Sequence, residues 1–170
     1  IEERSKGLIN FVGTYKNLTK LPRPNYTEVY VMRLLNHLKT LMKPELEKKN
    51  IKMNILASGL DIKIDADHEM IERVILNLIL NAIDAIKDVK DPKIEIEAKI
   101  VNHQTVIQVS DNGKGIDREN IDKVFIPFFT TKKQGSGIGL SLARQIMRMH
   151  KGSISVKSDP GKGTVFTLKF

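Results

Sequence analysis

The stretch of residues 70–86 constrains the fold most, because twelve of its seventeen residues are apolar. Apolar residues at helical spacing on nearly every side indicate a helix that must be buried almost all round. Asp67 stands just before this stretch, where an aspartate makes a favourable N-cap. We therefore predict a central helix over about residues 67–86 that other elements cover.

Segments in which apolar and polar residues alternate predict the strands that pack with this helix. The alternation is clearest over residues 94–100, where isoleucine and alanine alternate with glutamate and lysine. The other predicted strands are residues 51–55, 62–65 and 105–110, and a closing hairpin of 154–156 with 164–170 around Asp159-Pro160-Gly161. Together they predict an α+β fold, a two-layer α/β sandwich with helices on one face of a mixed, mainly antiparallel sheet.

Further helices are predicted at residues 29–49, 118–124 and 138–150, and at residues 1–20, where Ile1, Leu8 and Tyr15 recur every seven residues. Leu21-Pro22-Arg23-Pro24 ends the first helix, because proline lacks the amide donor and restricts the residue before it. We expect residues 1–20 to be a separate helical segment, 21–24 a linker and 25–170 one domain. Because the chain begins in mid-pattern, we expect it to be part of a longer protein.

The composition excludes several classes of protein. There is no cysteine, which excludes disulfides and cysteine-ligated metals and fits a cytoplasmic location. No apolar run approaches the roughly 20 residues that span a bilayer, so we expect no membrane contact. The net charge of +8 raises the possibility of a nucleic-acid partner, but residues 1–52 carry most of the excess and aromatic residues are few. We therefore expect a solvated basic helix face and no nucleic-acid partner.

The predicted central helix carries one narrow polar stripe. Arg73, Asn77, Asn81 and Asp84 recur at spacings of four, four and three, so they share one face. A buried amide without a partner costs about 1–3 kcal/mol, so the asparagines either bond to neighbouring backbone or face a polar ligand. An asparagine carbonyl oxygen suits Mg²⁺, which usually keeps water and phosphate oxygens as its other ligands.

Three glycine-containing segments suit a nucleotide, although short turns also explain each of them. Residues 110–115 follow a strand, so Asp111 can accept a hydrogen bond from the exocyclic amine of adenine while the glycines let backbone approach the base. Residues 130–139 run straight into a helix whose free amides would bind phosphate, with Lys132 adding positive charge. Residues 161–164 lie in the last hairpin, where turn chemistry explains them equally well.

The order and spacing of these segments resemble the catalytic domain of histidine kinases, a branch of the ATP-binding fold shared with DNA gyrase and MutL-type repair proteins. The resemblance covers about residues 25–170, and the lid of residues 130–134 is similar to that of nitrogen-regulation sensor kinases. The segments that carry it are an asparagine box (77–82), a first glycine box (111–115), a phenylalanine box (125–129), a second glycine box (135–140) and a last one (161–164). It implies the gyrase-like, Bergerat-type sandwich with ATP and Mg²⁺ as cofactors.

The resemblance also implies a role for each site residue. Asn81 would bind Mg²⁺, Asp111 would read adenine, and Lys132 would hold the phosphates together with amides of the lid. The implied catalytic residues are Asn77, Asn81 and Lys132, and the implied nucleotide-binding residues are Asn77, Asn81, Asp84, Asp111, Gly113, Gly115, Ile116, Phe129, Lys132, Gly135, Ser136, Gly137, Ile138, Gly139, Leu140 and Thr164.

By the same resemblance, the domain transfers the γ-phosphoryl group of ATP to a histidine on a separate dimerisation and phosphotransfer domain, for relay to the receiver domain of a response regulator. Residues 1–20 would be the end of the dimerisation helix, and the full-length protein would be a homodimer. ATP-hydrolysing relatives carry a glutamate four residues before the metal asparagine, whereas this chain has Asn77, which cannot act as a base. That favours a histidine kinase over an ATPase clamp, and it equally suits a nucleotide-dependent scaffold without transfer.

The chain lacks an acceptor histidine of the family's kind, which is a helical histidine followed by an acidic residue and, a few positions on, a proline. His37, His68, His103 and His150 all stand outside that context. His68 comes closest because a glutamate follows it, but no proline does. We therefore expect the acceptor to lie on another domain.

Overall fold

The computed structural model describes residues 21–59, 61–132 and 135–170. Its elements in chain order are β1 (Thr27–Tyr30), α1 (Val31–Lys48), β2 (Lys52–Ala57), β3 (Lys63–Ala66), α2 (His68–Ala85), β4 (Lys93–Val101), β5 (Gln104–Asp111), α3 (Arg118–Ile121), α4 (Gly139–Met149), β6 (Ser153–Asp159) and β7 (Gly163–Lys169). The predicted helix of residues 1–20 lies outside the described residues, so the domain boundaries stay a prediction. None of the described helices is long and apolar enough to cross a membrane.

Five strands form a mixed sheet in the order β2-β4-β5-β7-β6. The pairing of β2 with β4 is parallel and the other three pairings are antiparallel. Along β4, Ile94, Ile96 and Ala98 are buried while the residues between them are exposed or half-buried, so one face of the sheet meets the core. Helices α1, α2 and α4 contact this sheet. The predicted α+β sandwich is confirmed.

A second, two-stranded sheet stands outside the predicted layout. Strand β1 pairs antiparallel with β3, and Val29 lies opposite Ile64 with both side chains buried. The prediction that the first helix of the domain begins at residue 29 is therefore wrong, because Val29 and Tyr30 are extended and the helix begins at Val31. The two apolar residues Val29 and Tyr30 also fit the helical pattern that follows them, and pairing with β3 selects the extended form.

Helix α2 is less completely buried than its composition predicts. Its buried residues are Met70, Ile71, Val74, Ile75, Leu78, Ile79, Ala82 and Ile83. Leu80, however, is 46% exposed, and Arg73 and Asp84 are exposed too. The exposed residues therefore include Arg73 and Asp84, the two ends of the polar stripe. The predicted N-cap is confirmed, since the Asp67 side chain accepts a hydrogen bond from the Met70 amide at 3.0 Å.

The buried His150 joins the start of α2 to the end of α4. The Asp67 amide donates to His150 Nε2 at 3.0 Å, which leaves Nδ1 to carry the proton and donate to the Ile146 carbonyl at 2.8 Å. Tyr26 adds a hydroxyl bond to the Met149 carbonyl at 2.6 Å. Because the start of one helix is fastened to the end of the other, α4 runs back along α2. The N-terminus of α4 is thereby placed beside the middle of α2, where the polar stripe lies.

Candidate functional site

Two oxygens of the polar stripe converge on one cation. The Lys132 ammonium donates to Asn81 Oδ1 at 2.8 Å and to Asp84 Oδ2 at 2.6 Å. Residues 81 and 84 are one helical turn apart on α2, so their side chains reach the same point in space. We call Asn77, Asn81, Asp84, Lys132 and Gly139 the helix-end cluster.

Asn77 in this cluster has a donor that is not used by the protein. Its Nδ2 atom is buried and has no hydrogen-bond partner among the described residues. Its side chain packs against Gly139 at the start of α4, and a Cβ on Gly139 would overlap Asn77 Oδ1. Both residues line a cavity of about 280 Å³ together with Arg73 and Ser136. An orphaned donor costs about 1–3 kcal/mol, which an acceptor on a ligand in this cavity would recover.

The N-terminus of α4 supplies further donors to the same cavity wall. No described side chain caps this helix, and the first amides of a helix have no partner within it. Those of Gly139 and Leu140 therefore remain available to an anion, and the helix dipole adds to the attraction. The approach to the helix folds back on itself, since the Phe128 amide donates to the Gly137 carbonyl at 2.8 Å. Lys133 and Gln134 of the predicted lid lie outside the described residues.

A second group of polar side chains lies in one row across the sheet. Asp111, the last residue of β5, is opposite Thr164 on β7, and Thr164 is opposite Ser158 on β6. Asp111 Oδ1 accepts a hydrogen bond from the Gly113 amide at 2.8 Å. Burial raises the pKa of the Asp111 carboxyl, while hydrogen bonds from the amides of Gly113 and Thr164 act in the opposite direction. A cavity of about 500 Å³ opens over this row.

Gly163 allows the row to pack tightly against backbone. Its φ is +104°, a backbone conformation that residues other than glycine rarely adopt, and a Cβ there would overlap the Asp111 carbonyl oxygen. The Ser158 hydroxyl donates to the Gly163 carbonyl at 2.8 Å, accepts from the Ile116 amide at 2.9 Å, and lies 3.0 Å from Thr164 Oγ1. We call Asp111, Gly113, Ser158, Gly163 and Thr164 the sheet-end cluster.

The two clusters meet at the end of α2. The Lys114 amide donates to the Ala85 carbonyl at 3.2 Å, and Ala85 directly follows Asp84. Gly113 lies so close to that carbonyl that a Cβ would overlap it. A ligand that touches both clusters therefore meets a carboxylate at one end, and a lysine, an orphaned amide and a helix N-terminus at the other.

The structure brings most of the predicted residues to these clusters or to the loop between them. Gly135 and Ser136 lie in the approach to α4, where Ile138 is buried and Leu140 packs on the core. Gly115 has a φ of +72° and packs against the carbonyl of Asp159 in the β6–β7 hairpin. Phe129 is half-buried, and its amide donates to the Ile126 carbonyl at 3.2 Å.

Ser158 is not among the residues that the sequence predicted for the site. The signal that identifies it is its register in the predicted hairpin. The turn around residues 159–161 pairs Ser158 with Thr164, and the alternation along the strand places it on the inner face.

A divalent cation would fit the helix-end cluster if water and a bound phosphate supplied the rest of its ligands. The described residues contain no group of three or more His, Cys, Asp or Glu side chains that could hold a metal by themselves. Asn81 and Asp84 nevertheless aim two oxygens at the Lys132 ammonium, so a positive charge already occupies the position that a cation would take. Amide and carboxylate oxygens, completed by water and phosphate, are the donor set that Mg²⁺ prefers.

Comparison with known proteins identifies the family of this chain. Residues 66–170 match the family described as histidine kinase-, DNA gyrase B- and HSP90-like ATPases. The sensor histidine kinase ZraS of Salmonella typhimurium is 36% identical over 155 residues, which cover 89% of this chain and 33% of ZraS. The chain thus spans about a third of the length of the curated relatives it matches.

Solved structures show the same fold. The catalytic domain of histidine kinase ThkA is 31% identical with a TM-score of 0.78, and the match covers 86% of this chain and 95% of that domain. ThkA in complex with the response regulator TrrA is 26% identical with a TM-score of 0.81, and there the match covers 99% of this chain and 48% of the kinase. The resemblance to histidine kinase catalytic domains is confirmed. The chain belongs to the family of histidine kinase-, DNA gyrase B- and HSP90-like ATPases.

Proposed function

We propose that this chain is the Mg²⁺–ATP-binding catalytic domain of a sensor histidine kinase and that it supplies the γ-phosphoryl group to a histidine on a separate dimerisation domain. The observation that carries the proposal is the helix-end cluster. A pair of oxygens that bonds a lysine, an amide donor with no partner among the described residues, and a helix N-terminus that no described side chain caps lie along residues 77–84, about two turns of α2. Their charges and donors complement a metal-bound polyphosphate.

The sheet-end cluster complements the other end of ATP. Asp111 accepts hydrogen bonds, so it matches the exocyclic amine of adenine, and the glycine backbone beside it lets a flat base approach closely. Asn81 and Asp84 would hold Mg²⁺, which would neutralise part of the phosphate charge. Lys132 would then leave these oxygens for the phosphates, and Asn77 Nδ2 would donate to a phosphate oxygen.

The nucleophile in this proposal comes from another domain. Asn77 cannot remove a proton from water, so the site has no base at the position where the ATP-hydrolysing relatives have one. An imidazole nitrogen would attack the γ-phosphorus, the bond to the β,γ-bridging oxygen would break, ADP would leave, and the acceptor would become a phosphohistidine. The protein contributes mainly alignment and charge neutralisation.

None of this chain's histidines is suitably placed to be that acceptor. His37 and His68 both lie beside Glu72, and residue 68 is roughly 20 Å from residue 81 at 1.5 Å of helix rise per residue. His103 sits in the β4–β5 turn, and His150 is buried and fully bonded at the far end of α4.

The partners in this proposal are the protein's own dimerisation and phosphotransfer domain, in a homodimer, and the receiver domain of a response regulator. Support for the regulator comes from ThkA, whose structure contains the response regulator TrrA. We also propose that the domain works in the cytoplasm, where ATP and receiver domains are available.

Phosphotransfer to an added acceptor tests the proposal. The chain is incubated with γ-labelled ATP, Mg²⁺ and the histidine-bearing helical hairpin of the full-length protein. Acid-labile, base-stable label should appear on the hairpin and not on the chain alone, and Asn81→Ala should abolish it. Tight ATP binding without label on the hairpin would instead favour a nucleotide-gated scaffold, which the lack of a base at Asn77 also permits. Steady hydrolysis by the chain alone would favour an ATPase clamp.

A further inference from the structure

Ser158 lies one strand beyond the residues that would touch the base. It sits on β6, directly opposite the buried Thr164, which in turn lies opposite Asp111. The proposed function uses Asp111, the family resemblance adds Thr164, and neither gives Ser158 a role. Its hydroxyl nevertheless makes three short polar contacts, to the Ile116 amide, the Gly163 carbonyl and Thr164 Oγ1.

These three contacts determine where the hydroxyl protons go. A serine hydroxyl has one proton to donate and two lone pairs to accept with. The Ile116 amide can only donate, so it takes one lone pair, and the Gly163 carbonyl can only accept, so it takes the proton. Thr164 Oγ1, at 3.0 Å, must therefore donate its own proton to the remaining lone pair of Ser158.

The consequence is that Thr164 has only acceptor capacity left for a ligand. Its proton is held by Ser158, and its oxygen lies in the same cross-strand row as the Asp111 carboxylate. Both groups then accept hydrogen bonds. A 6-amino purine offers N–H donors to such a pair, directly or through water, whereas a 6-oxo purine presents a carbonyl oxygen that both would repel.

We propose that Ser158 is a positioning residue for base selectivity: by holding the Thr164 proton, it makes the site prefer 6-amino over 6-oxo purine nucleotides. This inference rests on the proposed function, because it requires the base to bind at the sheet-end cluster. When Ser158 loses its hydroxyl, the Thr164 hydroxyl is free to rotate and donate to a 6-oxo group. Selectivity should then fall, because a site rejects an analogue most strongly when its polar groups cannot re-pair with it.

Competition binding of ATP and ITP to the 170-residue chain tests this, since ITP differs from ATP only in the 6-oxo group and the N1 proton. Ser158→Ala should lower the preference for ATP over ITP by roughly 3- to 10-fold, the range of one neutral hydrogen bond. Ser155→Ala makes the same chemical change at an exposed position of the same strand and should leave the ratio unchanged. Ser158→Thr keeps the hydroxyl and should retain most of the wild-type preference.

A role in folding alone gives a different pattern. If Ser158→Ala weakens ATP and ITP equally and the ratio stays constant, the inference is wrong. Should Ser158→Ala fail to fold, Ser158→Cys takes its place in the same test, because a thiol keeps the bulk of the side chain but accepts hydrogen bonds poorly. In the Thr164→Val background there is no proton to release, so Ser158→Ala should no longer change the ratio, and a persisting change would overturn the proposal. Absence of any ATP binding by the unaltered chain would refute the proposed function instead.

Discussion

The sheet-end cluster and the helix-end cluster differ in how much of each is complete without a ligand. In the first, backbone amides donate to Asp111 and Ser158, and Ser158 accepts from Thr164, so side chains on paired strands are fixed. In the second, Lys132 reaches across from the lid to an exposed carboxylate, and a buried donor of Asn77 has no partner among the residues that the structure describes. The sheet-end cluster is preorganised. In the helix-end cluster, a ligand must supply an acceptor for Asn77 and displace the bonds of Lys132.

This difference suits two separate tasks, which are selection of the base at the sheet-end cluster and binding of phosphate and metal at the helix-end cluster. A preorganised base site loses little conformational entropy on binding and discriminates by fixed donors and acceptors. In the proposed phosphate site, Lys132 would exchange its bonds to Asn81 and Asp84 for bonds to phosphate, so we expect the order of this end to depend on the ligand. We therefore expect changes at the helix-end cluster to depend on phosphate and metal, and changes at the sheet-end cluster to depend on the base.

Asn81→Ala should have the largest effect, because it removes an oxygen of the proposed metal pair. We expect affinity for ATP in the presence of Mg²⁺ to fall about 100-fold, as for loss of a charge-assisted contact, while affinity for adenosine is unchanged. Calorimetry with ATP and adenosine, each with and without Mg²⁺, measures this. Asn54→Ala, at an exposed position of β2, is the control. Equal ATP affinity of the variant and the unaltered chain in Mg²⁺ would reject the metal assignment.

Gly139→Ala should come next, because the added Cβ would overlap Asn77 Oδ1 at the start of α4. Displacing the Asn77 side chain should weaken ATP binding about 10-fold, in line with the usual cost of overpacking, and should leave adenosine binding intact. Gly59→Ala is the matched control, since among the described residues no atom beyond its chain neighbours lies within 4 Å of a Cβ there. A Gly139→Ala chain that binds ATP normally would show that Asn77 takes no part in phosphate binding.

Lys132→Ala should have a smaller effect with two separable parts. The lysine is partly exposed and its ion pair with Asp84 is solvated, so thermal stability without nucleotide should hardly change. Affinity for ATP should fall roughly fivefold at low salt and less at high salt, because solvent screens the charge. Lys39→Ala on the exposed side of α1 is the control. A salt-independent loss would contradict a mainly electrostatic role.

The smallest expected effect concerns the pH dependence of stability at Asp111. Burial holds the pKa of its carboxyl above the ordinary 3.8, so over the interval above 3.8 the folded chain keeps a proton that the unfolded chain has lost. Stability therefore falls as pH rises through that interval. Asp111→Asn does not titrate, so its melting temperature relative to the unaltered chain should rise from pH 4 towards neutrality. A difference that is constant with pH would contradict a raised pKa.

The sequence predicted the sandwich and most residues of both clusters, but it did not predict the contacts between residues that lie far apart in the chain. The period of two in β4 and the N-cap Asp67 are local signals; the structure has the N-cap as predicted and the alternation as far as Ala98, beyond which Ile100 is exposed. Strand β1 was missed because its extended form depends on β3, more than thirty residues away. The bond of Lys132 to Asn81 and Asp84 joins positions about fifty residues apart, and no pattern along the chain encodes such a distance.

Amide resonances in the presence of adenosine and of Mg²⁺–ATP test most directly the claim that the two clusters serve two ends of one ligand. Adenosine should shift the amides of Gly113, Gly163 and Thr164 and leave those of Gly139 and Leu140 in place. Mg²⁺–ATP should shift both groups. If adenosine moved the start of α4 as strongly as Mg²⁺–ATP does, or if Mg²⁺–ATP left it unmoved, the division of the site would be wrong.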